Sequence, residues 1–450
     1  QSVEIEPTTN RGFFGSGNTA ATGVNFVTLR EIPSRPPLSL AAYRNFDLLF
    51  SPNVFKHWGG SSKVDPSYHA ADPATQLVIA GGHAHPLLPR DQTETTHFDP
   101  NSFEKLYDHS YLANWSLYDK WFHSGIPAGG TGSTVDFGTI DDILSGDQQL
   151  PNPRMRWTRD LDRSKVAELI KDPEVGHEHV AEYLSIVGGF NVNSVSLEAW
   201  RAFLGSMQKR QVPRYDLALA DNANQPDRSP FPRQTLVRGE DINDDQGLEN
   251  LWNGFQSLNQ NEIKTLAEAI VEQVKIRGPF LSMADFVNRR LSSKSDDGAA
   301  TSGASENFDL SHSGALQAAI DATKVNNDHF SISQSAQDLA TIGYANADAA
   351  AGLRAAGAPG YLMQGDLLQA LGSSLTVRGD TFTIRSYGES RNAAGKVEAR
   401  AWCEATVQRT HEYIDPSDEP TELASLSAIN QAFGRRYRII SFRWLSPDEI

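Results

Sequence analysis

The sequence is almost without cysteine, since Cys403 is the only one among its 450 residues. A single thiol excludes an intramolecular disulfide but leaves the cellular compartment open, because exported proteins can avoid cysteine altogether. Cys403 lies in phase with Ala401 and Ala405 in a run that alternates like a strand. This pattern predicts that Cys403 is a small buried hydrophobic residue.

The chain also lacks long apolar runs, and none approaches the ~20 residues that cross a bilayer. Basic residues are in deficit, with 40 Lys and Arg against 56 Asp and Glu, for a net charge of −16. A phosphate backbone would be repelled, so nucleic acid is not an expected partner. The sequence begins at Gln1 without a signal peptide, which we interpret as a processed, mature or partial chain and thus as a sign of export.

Common catalytic motifs are missing as well. The chain has no HExxH, no G-x-S-x-G elbow, no Walker A sequence and no G-x-G-x-x-G fingerprint. A catalytic triad could still be assembled from distant residues, but no local pattern indicates one. The sequence therefore favours a protein that binds and assembles over an enzyme.

Three strand-like runs close the chain, at 380–388 (DTFTIRSYG), 397–409 (VEARAWCEATVQR) and 433–445 (FGRRYRIISFRWL). Turn signals separate them, including Asn392 to Gly395 in the first gap. This pattern predicts a three-stranded antiparallel meander. The predicted interior positions of the sheet are Phe382, Ile384, Cys403 and Ile439.

Helical patterns dominate residues 161–376. The clearest helix covers 259–278, with Asn259 as N-cap, Glu262 completing a capping box, and Gly278-Pro279 ending it. Its apolar stripe is expected to consist of Ile263, Leu266, Ala267, Ile270, Val271 and Val274. Ser282 is then expected to cap a second helix (MADFVNRRL), so that Phe280, Phe286 and Leu291 face the first helix. The fold class expected is α+β, with the regions 1–160 (rich in loops, aromatic residues and histidine), 161–376 (helical, with a flexible loop near 292–309) and 377–450 (a sheet).

Histidines cluster early in the chain. His83-x-His85 places two rings on one side of an extended segment, which suits a transition metal, with His69, His97 or Asp91 as a third ligand. Packed or solvated loop histidines are the alternative interpretation.

The loop GEDINDDQG (239–247) is a calcium candidate. Asp241, Asn243 and Asp245 alternate as at the start of a Ca²⁺-binding loop, although the glycine, Gly247, comes one position late and Trp252 stands where a bidentate Glu is required. A solvated acidic loop is the alternative.

Seven stretches, in this order, resemble the Verru_Chthon cassette protein A family. They are EIPSRPPLSL (31–40), YDHSYLANWSLYDKWFHSG (107–125), FNVNSVSLEAWRAFL (190–204), LAEAIVEQVKIRGPFLSMADFVNRRL (266–291), GDTFTIRSYGE (379–389), ARAWCEATVQR (399–409) and FGRRYRIISFRWLSPDEI (433–450). A more distant similarity, carried by Asn191 and Asn193, Gly278 to Phe280, and Glu404 to Arg409, is to the K-type minor pseudopilin of type II secretion. These resemblances imply a helical domain inserted into a pilin-type sheet, a possible bound calcium, and a place in a pilus-like or secretion-linked assembly.

The expected function is accordingly that of a structural, non-enzymatic subunit of an extracellular or cell-envelope assembly. Its partners would be other pilin-like or envelope subunits, or further copies of itself. Two alternatives stay open at this stage. One is a secreted protein that binds carbohydrate or another substrate through the aromatic and histidine-rich first third, and the other is a metal-dependent hydrolase that uses His83 and His85.

Overall fold

The structure is a computed structural model of the chain. It describes residues 2–6, 11–13, 25–28, 37–45, 79–96, 105–121, 126, 140–147, 150, 152, 154–157, 162–172, 176–214, 221–222, 227–234, 237, 254–291, 310–323, 325–326, 333–341, 343–353, 356–418 and 425–449. Every structural statement below concerns these residues.

The chain divides into two compact units, Gln1–Val377 and Arg378–Ile450. The predicted regions 1–160 and 161–376 both lie in the first unit. The second unit begins at Arg378, one residue after the predicted start of the sheet region at 377. The described residues form both helices and strands, and the longest strands pair antiparallel near the C-terminus, so the protein is of the α+β class, as predicted.

The helices are short apart from one. They are α1 His109–Leu117, α2 Ile140–Ser145, α3 Arg163–Lys171, α4 Gly176–His179, α5 Leu197–Gly205, α6 Gln260–Arg277, α7 Met283–Val287, α8 Ala315–Ala322, α9 Ala336–Thr341, α10 Gln364–Leu371 and α11 Ala428–Phe433, with 3₁₀ turns such as Leu40–Asn45 between them.

Most strands of the first unit form small paired ribbons. The strands of the chain are β1 Ser2–Glu6, β2 Arg11–Phe13, β3 Asn25–Thr28, β4 Glu94–Thr96, β5 Lys105–Tyr107, β6 Met155–Trp157, β7 Leu184–Ile186, β8 Phe190–Asn191, β9 Pro213–Arg214, β10 Asp221–Asn222, β11 Ser229–Pro232, β12 Phe255–Leu258, β13 Ser333–Gln334, β14 Gly352–Leu353, β15 Leu375–Thr376, β16 Thr381–Arg391, β17 Val397–Tyr413 and β18 Arg435–Leu445.

Helix α6 forms the centre of the first unit, and its predicted features are confirmed. The Asn259 side chain accepts hydrogen bonds from the N–H groups of Asn261 and Glu262, and Glu262 accepts one from the N–H of Asn259 in return. This capping box satisfies N–H groups that a helix start leaves without partners. The predicted stripe is buried in the main core; its residues are Ile263, Leu266, Ala267, Ile270, Val271 and Val274.

An asparagine holds the corner that follows α6. The Asn193 side chain accepts a hydrogen bond from the N–H of Phe280 at 2.6 Å and donates one to the Phe280 carbonyl at 3.0 Å. Position 278 requires glycine because the backbone of α6 lies close to it: a Cβ there would be 2.6 Å from the carbonyl oxygen of Val274. Asn193 and the Gly-Pro-Phe sequence, which are distant in sequence, therefore form one structural element.

The helix after this corner is shorter than its pattern predicts. Ser282 caps it and accepts from the N–H of Asp285, as expected, but α7 ends at Val287. Phe280 and Phe286 are buried as predicted, whereas Leu291 is 44% exposed, so its assignment to the packed face is wrong. The reason is that residues beyond Val287 no longer follow the helical period, and Arg289 is instead drawn into a buried ion pair with Asp108.

Two arginines share one buried carboxylate in the first unit. Arg44 and Arg233 both donate to Asp366, and Arg233 also donates to the carbonyls of Gly357, Ala358 and Tyr361. Burial lowers the pKa of Arg233 to about 10, and burial together with the charge of Arg233 lowers that of Arg44. The cluster ties the 3₁₀ turn near residue 44 to α10 and β11.

The second unit is the predicted antiparallel meander, with strand order β16-β17-β18. A tight turn joins the first two strands, where the Asn392 N–H bonds to the Lys396 carbonyl and Gly395 takes a φ of +79°. A left-handed φ of this kind favours glycine. The turn signal and the three strands in the sequence are thus confirmed.

The predicted interior of this sheet is wrong. Phe382, Ile384 and Ile439 are 41%, 52% and 65% exposed, and Cys403 is half-buried. The alternation correctly placed these residues on one face, but alternation does not show what covers that face. A three-stranded sheet is a single layer, so its apolar side is buried only when something packs on it.

Candidate functional site: the apolar face of the C-terminal sheet

The register of the meander gathers its large apolar side chains on one side. Residues directly opposite each other in antiparallel strands share a face, and side chains alternate between faces along each strand. The apolar face, as we define it, consists of Phe382, Ile384, Cys403, Ala405, Val407, Tyr437, Ile439, Phe442 and Trp444.

A β-bulge in β18 is needed to build this face. Thr406 pairs with Ser441 and Val407 with Ile439, so Ile440 is an extra residue in the strand. Because of this insertion, Ile439 and Phe442 lie on the same side although they are three positions apart, a spacing that regular alternation would place on opposite sides. The bulge therefore keeps the apolar face continuous.

The large side chains of the apolar face are open to solvent. Trp444 is 68% exposed and Phe442 53%, and their rings meet edge to face at 5.4 Å. The Phe382 and Tyr437 rings lie 6.1 Å apart across the sheet. Six side chains of about 200 Å², each roughly half exposed, give an apolar patch of roughly 600 Å², at the upper end of the ~300–600 Å² of the largest patch on a typical monomer.

Side-chain size differs between the strands of the apolar face. The central strand β17 contributes the short side chains of Cys403, Ala405 and Val407, whereas the flanking strands contribute large ones, with Ile384 on β16 and Phe442 on β18. The exposed large apolar side chains of this face therefore come from the two flanking strands.

The opposite face is charged and internally paired. Glu404 accepts hydrogen bonds from Arg385 at 2.7 Å and from Arg443 at 3.0 Å, and these bonds lower its pKa. Arg443 also donates to Glu449 at 2.9 Å. The sheet thus has one side on which charged groups pair with each other and one apolar side that water solvates poorly.

The two candidate metal-ligating histidines have different neighbours. His83 Nε2 lies 3.0 Å from the Asp321 carboxylate, whose other oxygen accepts from Gln317. Although burial opposes its charge, Asp321 raises the pKa of His83 by its own charge and this hydrogen bond. Nδ1 of His85 accepts the N–H of Leu87, and burial lowers the pKa of His85.

The remaining metal candidates stay predictions. Among the residues that the structure describes, no three His, Cys, Asp or Glu side chains come together in a way that could hold a metal ion. The calcium candidates Asp241, Asn243 and Asp245 lie outside the described residues, as do His69 and His97. Much of the aromatic-rich first third lies outside them too.

Among the residues that the structure describes, no helix combines the length and the hydropathy that are needed to cross a bilayer.

Sequence reasoning missed Phe442 and Trp444 as members of the site. The signal was present, since both are large apolar residues in a strand. Placing them required the bulge at Ile440, and recognising them as exposed required the tertiary structure. Compared with protein-family models, with curated proteins and with solved structures, the chain has no significant match.

Proposed function

We propose that this chain is a structural, non-enzymatic subunit of a pilin-like or secretion-linked assembly in the cell envelope or outside the cell. The observation that supports this proposal is the apolar face of its C-terminal sheet. Binding of a neighbouring subunit on the apolar face would remove roughly 600 Å² of apolar surface from water. At about 25 cal/mol per Å², that burial contributes on the order of 15 kcal/mol before the costs of association are subtracted.

The distribution of charge supports a role in protein binding. Arg378–Ile450 contains ten Lys and Arg against eleven Asp and Glu, a net charge of −1, so the rest of the chain carries −15 of the total −16. The sheet unit is therefore the part of the chain that another acidic protein can approach with least repulsion. The resemblance of the closing stretches to pilin-like families points to subunits of that kind as the partners.

The test is assembly in the native host. The wild-type chain is compared with a double variant of the apolar face, Ile439→Asp with Trp444→Asp, and with a matched control on the charged face, Thr383→Asp. Native electrophoresis of envelope and secreted fractions, followed by detection of this chain, reports whether it belongs to a larger complex.

We expect the wild type and Thr383→Asp to migrate in one high-mass complex, and the apolar-face variant to migrate as a folded free subunit. A chain found only in the intracellular fraction, or an apolar-face variant that stays in the complex, would overturn the proposal. Circular dichroism of the purified variants checks that each remains folded.

A further inference from the structure

The outer edge of the C-terminal sheet carries a second feature. β16 is the first strand in the order β16-β17-β18, and among the described strands none pairs with its outer side. The strand is eleven residues long, contains neither proline nor lysine, and is exposed or nearly so along its whole length. Long exposed edges present unpaired N–H and C=O groups that template a further strand.

We propose that two copies of this chain dimerise by antiparallel pairing of their β16 strands about a two-fold axis at Tyr387. The product is a continuous six-stranded sheet with the two apolar faces on the same side. This inference names a partner for the sheet unit and rests on the proposed role of that unit in assembly, but it uses the strand edge and not the apolar face.

Charge complementarity selects this register. Pairing centred on Tyr387 places Arg385 of one copy opposite Glu389 of the other, twice, and Tyr387 opposite itself. Opposite charges and aromatic pairs at directly opposed positions each stabilise antiparallel sheets. Both residues lie on the charged face and also have partners in their own chain. The Arg385 side chain is 57% exposed and donates to Glu404, and the Glu389 side chain is 20% exposed and accepts from Tyr387 and Arg391.

Other symmetric registers lack these opposite-charge pairs. Centring the pairing on Ser386 places Arg385 opposite Tyr387 and Glu389 opposite Thr383, so that neither charge faces an opposite one.

Further registers bring like charges together. Centring the pairing on Arg385 or on Glu389 places that residue opposite its own copy, and centring it on Gly388 places Arg385 opposite Arg391. Registers shifted by an odd number of residues put the apolar face of one copy beside the charged face of the other, because a one-residue shift reverses every side chain.

The other edge of the sheet does not suit self-pairing. β18 carries four arginines and no acidic residue; they are Arg435, Arg436, Arg438 and Arg443. Any two-fold pairing of this strand concentrates positive charge. β16, with residues of both signs, is therefore the edge that fits a second copy.

The first part of the test is reciprocal charge exchange in the full-length chain. Sedimentation velocity over a concentration series is measured for the wild type, Arg385→Glu, Glu389→Arg and the double exchange. We expect a wild-type dimer, dimerisation weakened about tenfold or more in each single variant, because like charges then face each other, and recovery in the double variant. A wild type that stays monomeric throughout, or a double variant no better than the single ones, would overturn the inference.

The second part does not depend on how well the charge variants fold. In a Cys403→Ala background, Tyr387→Cys places two thiols opposite each other across the two-fold axis, at a Cα separation of about 4.5–5.5 Å that a disulfide can bridge. The control Thr383→Cys places them roughly 27 Å apart, eight residues along the strand at about 3.4 Å each. Mild oxidation followed by non-reducing electrophoresis should give a covalent dimer for Tyr387→Cys only.

Equal cross-linking of the two cysteine variants, or none in either, contradicts the register. The apolar-face variant Ile439→Asp with Trp444→Asp separates this inference from the proposed function. This variant should still dimerise through β16 but should no longer enter the larger complex. Dimerisation through β16 and assembly through the apolar face can therefore fail independently of each other.

Discussion

At the residue scale, the first unit contains a cluster of three buried charged side chains. Asp366 is the shared acceptor of Arg44 and Arg233, and all three side chains are at most 10% exposed. Removing one partner of a buried ion pair is strongly destabilising because it leaves charge without compensation. Loss of the Asp366 carboxylate would leave the guanidinium groups of Arg44 and Arg233 buried without their shared anionic partner.

Asp366→Asn should therefore lower the free energy of unfolding by about 3–5 kcal/mol. The control is Glu198→Gln, which removes the exposed pair with Arg201, and its expected effect is within about 0.5 kcal/mol. Urea denaturation of the full-length chain measures both. Equal midpoints for the two variants would show that the buried cluster does not stabilise the fold.

A second residue-scale prediction concerns the pH dependence at His83. The pairing with Asp321 raises the pKa of His83 above its ordinary value of 6.5 in the folded state. The stabilisation is then fully present below that ordinary value and is lost as the pH rises through the higher folded-state pKa. Wild type should exceed Asp321→Asn in melting temperature by more at pH 6 than at pH 8; a difference that is constant with pH would contradict the pairing.

At the element scale, the sequence predicted correctly those elements that depend on residues near each other in the chain, and less well those that depend on residues far apart. The capping box at Asn259 and Glu262, the stripe of α6 and the turn at Gly395 were predictable because the signals and the contacts are both local. The end of α7 was not, because Arg289 is held by Asp108, far away in the sequence. The apolar face was predicted as a set of residues, but its exposure depends on what packs on the sheet, and its continuity depends on a bulge.

The same substitution, leucine to alanine, can be made at Leu266, whose predicted burial is confirmed, and at Leu291, whose predicted burial is wrong. Leu266→Ala removes a side chain that is 1% exposed in the core, and it should cost about 2–5 kcal/mol. Leu291→Ala acts on a residue that is 44% exposed, and it should cost less than about 1 kcal/mol. Chemical denaturation of the two variants tests the packing of α6, and similar losses would reject it.

At the scale of the whole molecule, the second unit exposes apolar surface that a stable isolated fold does not need. Ile384→Asp should leave the melting temperature of the purified chain nearly unchanged, since Ile384 is 52% exposed and a carboxylate there stays hydrated. The same substitution should weaken assembly in the native host. A loss of several kcal/mol in the purified chain would indicate that the apolar face is buried within the protein itself.

The central claim, that a neighbouring protein covers the apolar face, is tested most directly by hydroxyl-radical footprinting of the unmodified protein. Trp444 and Trp121 are 68% and 59% exposed, so both should be oxidised in the purified chain. In the native assembly the oxidation of Trp444 should fall relative to that of Trp121, because the bound subunit excludes solvent from the sheet. The same ratio of oxidation at the two tryptophans in the purified and the assembled protein would contradict the account.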